Sequence, residues 1–351
     1  MVMNFAFLCK PDKIRKSGHR VAIIGAGPAG LAAAGFLVCK GHDVTIYEKL
    51  PLPGGLMVFA IPSRRIRPQH VIDGCKTLEE EYGVKFVLKT KVVVEDGHDE
   101  GDDFVENKVN LKDLVKEYNA ILVATGIWRS KIPSLPGSNL SGVYSALDFL
   151  FKWKTYELGL AEKDYAIEVS GKKVAVIGAG HSAVDAALTA LDNGAVEVYL
   201  LYRRTINEAP AGRFEIIEAI REGIIWTELV SPLKINGNNR VESITLVKNR
   251  LEDTGTGRPR PVPIEGSEYD LDVDFVIFAT GESSTPPPGI EKIGVKVDKK
   301  YGSILVSPNF ETSSKGVFAA GDVVTGPSFV GRAIEAGLKA AMHVDRYLKS
   351  L

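Results

Sequence analysis

Two short runs in this chain have the residue types and spacing that can hold a pyrophosphate. Gly25, Gly27 and Gly30 form a GxGxxG pattern in VAIIGAGPAGLAAA, with Pro28 and Ala29 inside it; Gly178, Gly180 and Ala183 form GxGxxA in VAVIGAGHSAVDAA, with His181 and Ser182 inside it. In such a run the first glycine permits a tight turn and the second lets backbone approach the phosphates. The third small residue lets the following helix pack on the strand. That helix aims free N–H groups and a partial positive charge at the anion. One such run is weak, because glycine turns also serve plain strand–helix packing; two in one chain disfavour that reading.

The two copies differ where their second strand ends. The first ends in Glu48-Lys49, and a carboxylate there can accept hydrogen bonds from the ribose hydroxyls of an adenine dinucleotide. The second ends in Arg203-Arg204, whose guanidiniums suit a 2′-phosphate that a carboxylate would repel. The first site is therefore assigned FAD and the second NADPH, with NADH left open as a weaker donor. The alternative for the arginines is a solvated strand end.

Other segments add candidate contacts. Gly54, Gly55 and Leu56 lie in the PLPGGLMVFAIPSRRIRP stretch, where glycine lets backbone approach a flat ligand. Arg64, Arg65 and Arg67 in the same stretch could face phosphates, a flavin or a protein, or simply water. Ala124-Thr125-Gly126 ends the buried run NAILVATG, and Thr280-Gly281 ends the matching DFVIFATG. Late in the chain, Gly321-Asp322 precedes a helix expected from near Ser328, with Phe329 and Ala333 at its start. Asp322 can accept from a ribityl hydroxyl. The helix's positive end would face the flavin where negative charge develops on reduction, an effect of about 1–2 kcal/mol. His181 could contact NADPH or be a turn residue; Glu335 reads as a helix-surface glutamate. No acid–base residue is singled out, because nicotinamide and flavin carry the chemistry themselves.

These residues need strands and helices to place them. Val21–Ile24 and Val174–Ile177 read as buried strands, with helices following each glycine turn. His70–Tyr82 has helical spacing, short strands are expected around Val84–Leu88 and Val92–Val94, and the acidic run Glu95–Asp103 reads as an exposed turn. The last helix is expected to bury Val330, Ile334, Leu338, Ala341, Val344 and Leu348. The PRPVPIEGSE stretch could shape a nicotinamide pocket or cap a hairpin, with the hairpin favoured.

The chain has 351 residues, 45% of them apolar, and a net charge of −1, enough for two domains each with its own core. Near-neutral charge without a basic run gives no case for nucleic acid, and no apolar stretch is long enough for a membrane span. The opening residues lack a signal-peptide layout, so a cytoplasmic location is expected. Cys9, Cys39 and Cys75 form no CxxC and are too few for a four-cysteine iron–sulfur cluster; Cys39 reads as a small core residue. The six histidines show no metal-binding spacing, so no metal is expected.

The chain resembles the small (β) subunit family of glutamate synthase. Relatives of that family include the FAD- and NADPH-binding part of dihydropyrimidine dehydrogenase and the large subunit of NADH-dependent ferredoxin:NADP oxidoreductase. The resemblance is carried by VAIIGAGPAGLAAA, PGGLMVFAIP, VAVIGAGHSAVDAA with YRR, RPRPVPIEGSEYDLDVDFVIFATG and GVFAAGDVVTGPSFVGRAIEAG. It implies an α/β flavoprotein with two Rossmann-like dinucleotide-binding domains. The FAD domain (1–140 and 283–351) would be interrupted by an inserted NAD(P)H domain (141–282). It further implies hydride transfer from NADPH to FAD, then electron transfer to a partner such as a glutamate synthase large subunit, a ferredoxin or another iron–sulfur protein. The chain would then be an oligomer or a subunit of a complex. Family members usually carry an N-terminal cysteine-rich domain with iron–sulfur clusters; here those clusters are expected on another polypeptide. His181 stands where the family tends to have asparagine.

Two other functions compete with the electron-input subunit: a stand-alone ferredoxin–NADP reductase or NAD(P)H oxidase (diaphorase), and a non-catalytic flavin-binding redox sensor. The coenzyme assignment has its own test. Replacing Arg203 and Arg204 with alanine should lower kcat/KM for NADPH by about tenfold or more while affecting NADH less. Equal losses for both coenzymes would remove the 2′-phosphate role.

Overall fold

Val21, Ala22, Ile23 and Ile24 are buried along their whole length, as are Val174 to Ile177. Continuous apolar runs of this kind belong to parallel strands covered on both faces. The computed structural model describes residues 3–255 and 257–351; the first two of the opening residues read above for a signal peptide lie outside the described residues. The chain forms two compact units: residues up to Arg129 together with Glu282–Leu351, and Ser130–Gly281. The first crossing thus falls at Arg129/Ser130, before the residue 140 expected from sequence. The entry and exit of the second unit are fastened there, with Lys131 N–H donating to the Gly281 carbonyl (2.9 Å).

The first unit holds a five-stranded parallel sheet in the order Val317–Ala319, Ala120–Val123, Arg20–Ile24, Asp43–Tyr47, Lys85–Val87. Ile23 lies opposite both Ile46 and Leu122, which fixes the register of the central strand. The first dinucleotide helix, Pro28–Cys39, packs against the last helix, Val330–Leu348. The approach is so close that a Cβ at Gly337 would lie 2.1 Å from the Ala29 carbonyl oxygen. Small residues are what such a contact needs. Accordingly the buried face of the last helix is Ala333, Gly337, Ala340, Ala341, Val344, Asp345 and Leu348. The expected Val330, Ile334 and Leu338 are only partly buried.

Two further expectations are corrected. The acidic run is not simply an exposed turn: Asp99 is buried, and Asp102 pairs with both Lys49 (3.0 Å) and Lys91. Charges like these leave water only when paired, and here the partners are Lys91 on the strand Thr90–Val93 and Lys49 just past the strand Asp43–Tyr47. Cys39 is not a simple core residue but forms a disulfide with Cys9, the Cα atoms 5.4 Å apart. The Phe5 carbonyl lies where a Cβ on Gly35 would come within 1.9 Å, so the N-terminal segment runs along this helix and brings Cys9 to its end. The helix expected over His70–Tyr82 spans Pro68–Glu80.

The second unit repeats the parallel design, in the order Ile225–Glu228, Glu197–Tyr202, Lys173–Ile177, Phe275–Phe278, Val143–Ser145. It adds an antiparallel layer in which Ser243–Glu252 pairs with Val230–Asn236, Arg260–Pro263 and Tyr269–Asp272. The PRPVPIEGSE stretch supplies one strand of this layer and the turn after it. Among the described residues no helix is long and apolar enough to cross a membrane, and no group of three or more His, Cys, Asp or Glu could hold a metal ion.

A chain of polar groups centred on buried His42 and Asp345 ties the first unit together. Ser17 Oγ meets His42 Nδ1 at 2.7 Å, and His42 Nε2 meets Asp345 Oδ1 at 3.0 Å. Burial lowers the His42 pKa from its ordinary value of 6.5, outweighing the hydrogen bond and charge of Asp345. As pH falls through 6.5 the unfolded imidazole takes up a proton that the buried one resists, so acid favours the unfolded chain. The melting temperature should therefore be lower at about pH 5 than at about pH 8, and His42→Gln should shrink that difference. An unchanged pH dependence in the variant would remove His42 as its source.

Candidate functional site

In the first unit the glycine turn is built by close approach on one side and open space on the other. Gly25 has φ +104°, and a Cβ there would lie 2.5 Å from the Ala124 carbonyl oxygen. Gly30 is packed equally hard, with a Cβ position 2.0 Å from the Gly25 carbonyl oxygen. Gly27, between them, is extended at the helix N-cap with Pro28 following, and a Cβ on it would meet nothing within 4 Å. The sequence thus uses glycine for packing at Gly25 and Gly30, and at Gly27 leaves backbone facing an open approach. That is the shape a pyrophosphate requires.

Glu48 sits at the end of Asp43–Tyr47 and is 5% exposed. Its carboxylate accepts from the Ala26 N–H (2.6 Å), inside the glycine turn, and from the Leu50 N–H (3.0 Å). Burial raises its pKa, and the backbone donors and Lys49 oppose that rise. A carboxylate offers about four acceptor positions, so capacity remains beyond these backbone donors. Lys49 is placed differently from Glu48. Its ammonium donates to the Glu100 carbonyl and to Asp102 (3.0 Å) and lies over the Trp128 ring at 4.3 Å. Burial lowers its pKa, with Asp102 working against that shift. Lys49 therefore serves the buried charge cluster instead of reaching the glycine turn.

The remaining first-unit candidates converge on the same end of the sheet. Gly54 N–H donates to the Ala26 carbonyl (2.8 Å), and a Cβ on Gly55 would lie 2.9 Å from Gly27 Cα, so Gly54, Gly55 and Leu56 border the turn. Thr125 Oγ1 donates to the Thr285 carbonyl (2.7 Å), and the Gly126 carbonyl accepts from Thr285. Ala29, Ala124 and Ala333 pack together, and Gly321, at φ +76°, comes against Ala29. Asp322 accepts from the Ser328 hydroxyl and N–H; burial raises its pKa, and those hydrogen bonds lower it. Phe329 is the N-cap of the last helix and is exposed. Glu335 forms a surface ion pair with Lys339 (2.6 Å).

The second unit repeats the arrangement. Gly178 has φ +143°, with a Cβ position 2.5 Å from the Ala279 carbonyl oxygen, whereas a Cβ on Gly180 would meet nothing within 4 Å. The helix His181–Asp192 starts there, with His181 half-buried, Ser182 exposed and Ala183 fully buried. Thr280 donates from its hydroxyl to the Lys131 carbonyl, next to Gly281 at φ +106°. Arg203 is exposed, and Arg204 donates from Nε to the Pro259 carbonyl (2.8 Å). Sequence reasoning did not single out Arg258, which the hairpin between Ser243–Glu252 and Arg260–Pro263 brings to the same strand end. Its Nη2 donates to the Tyr202 hydroxyl (2.9 Å) and the Glu208 carbonyl (3.1 Å). No local motif marks it, because only antiparallel pairing within the second unit puts it beside Tyr202.

Comparison with known proteins agrees with this geometry. The family described as pyridine nucleotide-disulphide oxidoreductase matches residues 19–337. The chain is 34% identical over 353 residues to "Glutamate synthase [NADPH] small chain" of Halomonas elongata, covering 98% of this chain and 71% of that protein. It is 37% identical over 342 residues to "NADP(+)-dependent formate dehydrogenase subunit beta" of Moorella thermoacetica, covering 95% of this chain but 44% of that one. Among solved structures, Mycobacterium tuberculosis FprA in complex with NADPH shares the fold, with a TM-score of 0.75 at 20% identity over 96% of this chain and 85% of that one. The chain belongs to the pyridine nucleotide-disulphide oxidoreductase family, together with the small chains of NADPH glutamate synthase, and is an FAD- and NADPH-dependent oxidoreductase.

Proposed function

We propose that this chain is the electron-input component of a larger assembly: the second unit takes NADPH, the first holds FAD, and a separate protein receives the electrons. The observation that carries the reading is the pair of turns with packed Gly25 and Gly178 and open Gly27 and Gly180, the first fastened to Glu48 and the second beside a strand that runs into Arg203-Arg204. When bound, the nicotinamide supplies a hydride and the flavin accepts it and passes electrons onward singly. The residues of the chain bind and orient. Glu48 faces the first ribose, and the N–H groups after Gly27 and Gly180 meet the phosphates. Asp322, bonded to Ser328 just ahead of the last helix, offers a carboxylate near that helix's N-terminus, whose positive end favours negative charge. Both curated relatives described above are subunits by name, which supports a partner protein as the acceptor.

Anaerobic addition of NADPH to the flavin-loaded chain should bleach the flavin. The lone chain should reduce artificial dyes but form no glutamate without a partner. Rapid turnover with oxygen or free ferredoxin, unchanged by any co-purifying subunit, would mark a self-sufficient reductase instead. A flavin that NADPH fails to bleach would mark a binding scaffold.

The two open glycines separate binding from folding. Gly27 (φ −77°) and Gly180 (φ −86°) lie in backbone regions that alanine also adopts. Gly27→Ala should keep the wild-type melting temperature and lose flavin on purification. Gly180→Ala should keep its flavin and raise KM for NADPH by roughly tenfold or more, as a methyl group displaces the phosphate. Normal flavin retention in the first variant would overturn the assignment of that turn.

A further inference from the structure

The strand end at Tyr202 gathers more positive charge than its own two arginines supply. Arg258 reaches it from the hairpin, holding the Tyr202 hydroxyl and the Glu208 carbonyl, while Arg204 returns a bond to the carbonyl of Pro259. Strand end and hairpin are therefore tied in both directions. The backbone beneath is fixed as well. Asn249, 4% exposed, donates from Nδ2 to the Arg203 carbonyl (3.3 Å) and to Ser231 Oγ (2.9 Å), and Leu229 N–H donates to the Arg204 carbonyl (3.1 Å).

Among the described residues none of Arg203, Arg204 and Arg258 has an ion-pair partner. The carboxylates nearby are turned to other donors. Glu208 Oε2 accepts from the Thr205 N–H (3.0 Å) and hydroxyl (2.7 Å). Glu228, opposite Tyr202 on the neighbouring strand, accepts from the Ile206 N–H (2.8 Å) and Trp226 Nε1 (3.3 Å). Burial, and after it the neighbouring Arg204 and Arg258, push the Arg203 pKa below the ordinary arginine value. Like charges assembled without a counter-charge mark a place where a ligand supplies one.

We propose that Arg258 is a third arm of the phosphate site, gripping the 2′-phosphate of NADPH together with Arg203 and Arg204, so that the antiparallel hairpin selects the coenzyme. This rests on the NADPH reading above and adds the residue and the element that enforce it. A phosphomonoester carries about −1.5 to −2 charges near neutral pH and offers three acceptor oxygens, whereas each phosphate of a pyrophosphate bridge carries about one charge. Three guanidiniums match the former. Arg258 is a specificity residue and Asn249 a positioning residue, acting through the Arg203 backbone.

Calorimetric titration of the flavin-loaded protein with 2′,5′-ADP and, separately, with 5′-AMP tests the assignment. The wild type should bind 2′,5′-ADP about tenfold or more tighter than 5′-AMP. Arg258→Ala should weaken 2′,5′-ADP by about tenfold and 5′-AMP by less than roughly twofold, shrinking the NADPH:NADH preference by a similar factor. Arg258→Lys should restore only part of the loss, because an ammonium cannot make the forked contact. Equal weakening of both probes by Arg258→Ala would show a structural hairpin, and no change in either would show a bystander; both overturn the proposal while leaving the NADPH reading intact. A wild type that binds both probes equally would instead bring down the NADPH reading itself.

Discussion

The carboxylate of Glu48 governs the geometry of the first unit. Taking a carboxylate out of water costs several kcal/mol unless its oxygens are satisfied. Here one oxygen accepts the Ala26 N–H and the other the Leu50 N–H. The Ala26 bond fastens the end of one strand to the glycine turn at the end of its neighbour, so the turn is held in shape by a side chain. The desolvation that raises the Glu48 pKa is what makes the interaction demanding, and the backbone donors work against it. The rest of the unit conforms to this joint. Gly54 closes over the Ala26 carbonyl, and Gly55 comes against Gly27.

The second unit builds the same turn without that carboxylate. Ala179, the counterpart of Ala26, has its carbonyl held by the Ala211 N–H (3.0 Å), much as Gly54 holds Ala26. The strand end is then free to carry arginines, and an antiparallel layer braces them through Asn249, Leu229 and Pro259. One architecture thus serves two electrostatic needs by changing what the second strand ends in. An acidic end prefers hydroxyl donors, and a basic end prefers phosphate.

Local pattern was enough to read the strands, the glycine turns and the helices after them, because those features repeat over a few residues and depend on backbone geometry. It failed where a residue's environment is set by partners far along the chain. The acidic run reads as solvated on its own, yet Asp99 and Asp102 are drawn inward by Lys49, Lys91 and Arg129. Cys9 and Cys39 carry no spacing that announces a bond; their pairing depends on the path of the N-terminal segment along Pro28–Cys39. The last helix shows the same limit in milder form. Its period was legible, but hydrophobicity favoured Val330 and Leu338, while the contact with Ala29 selects Ala333 and Gly337 for their small size. Arg258 opens one of the segments that carry the family resemblance, yet its place beside Tyr202 is set only by what the fold brings there.

The two ends of the second unit, Ser130 and Gly281, are neighbours, stapled by the bond from Lys131 to Gly281. A segment whose termini meet behaves as a cassette: evolution can splice it in, lengthen it or exchange it at one seam without rethreading the host sheet. On the proposed reading, the choice of nicotinamide coenzyme can therefore change by replacing the insert alone, while the five-stranded sheet of the host unit is kept.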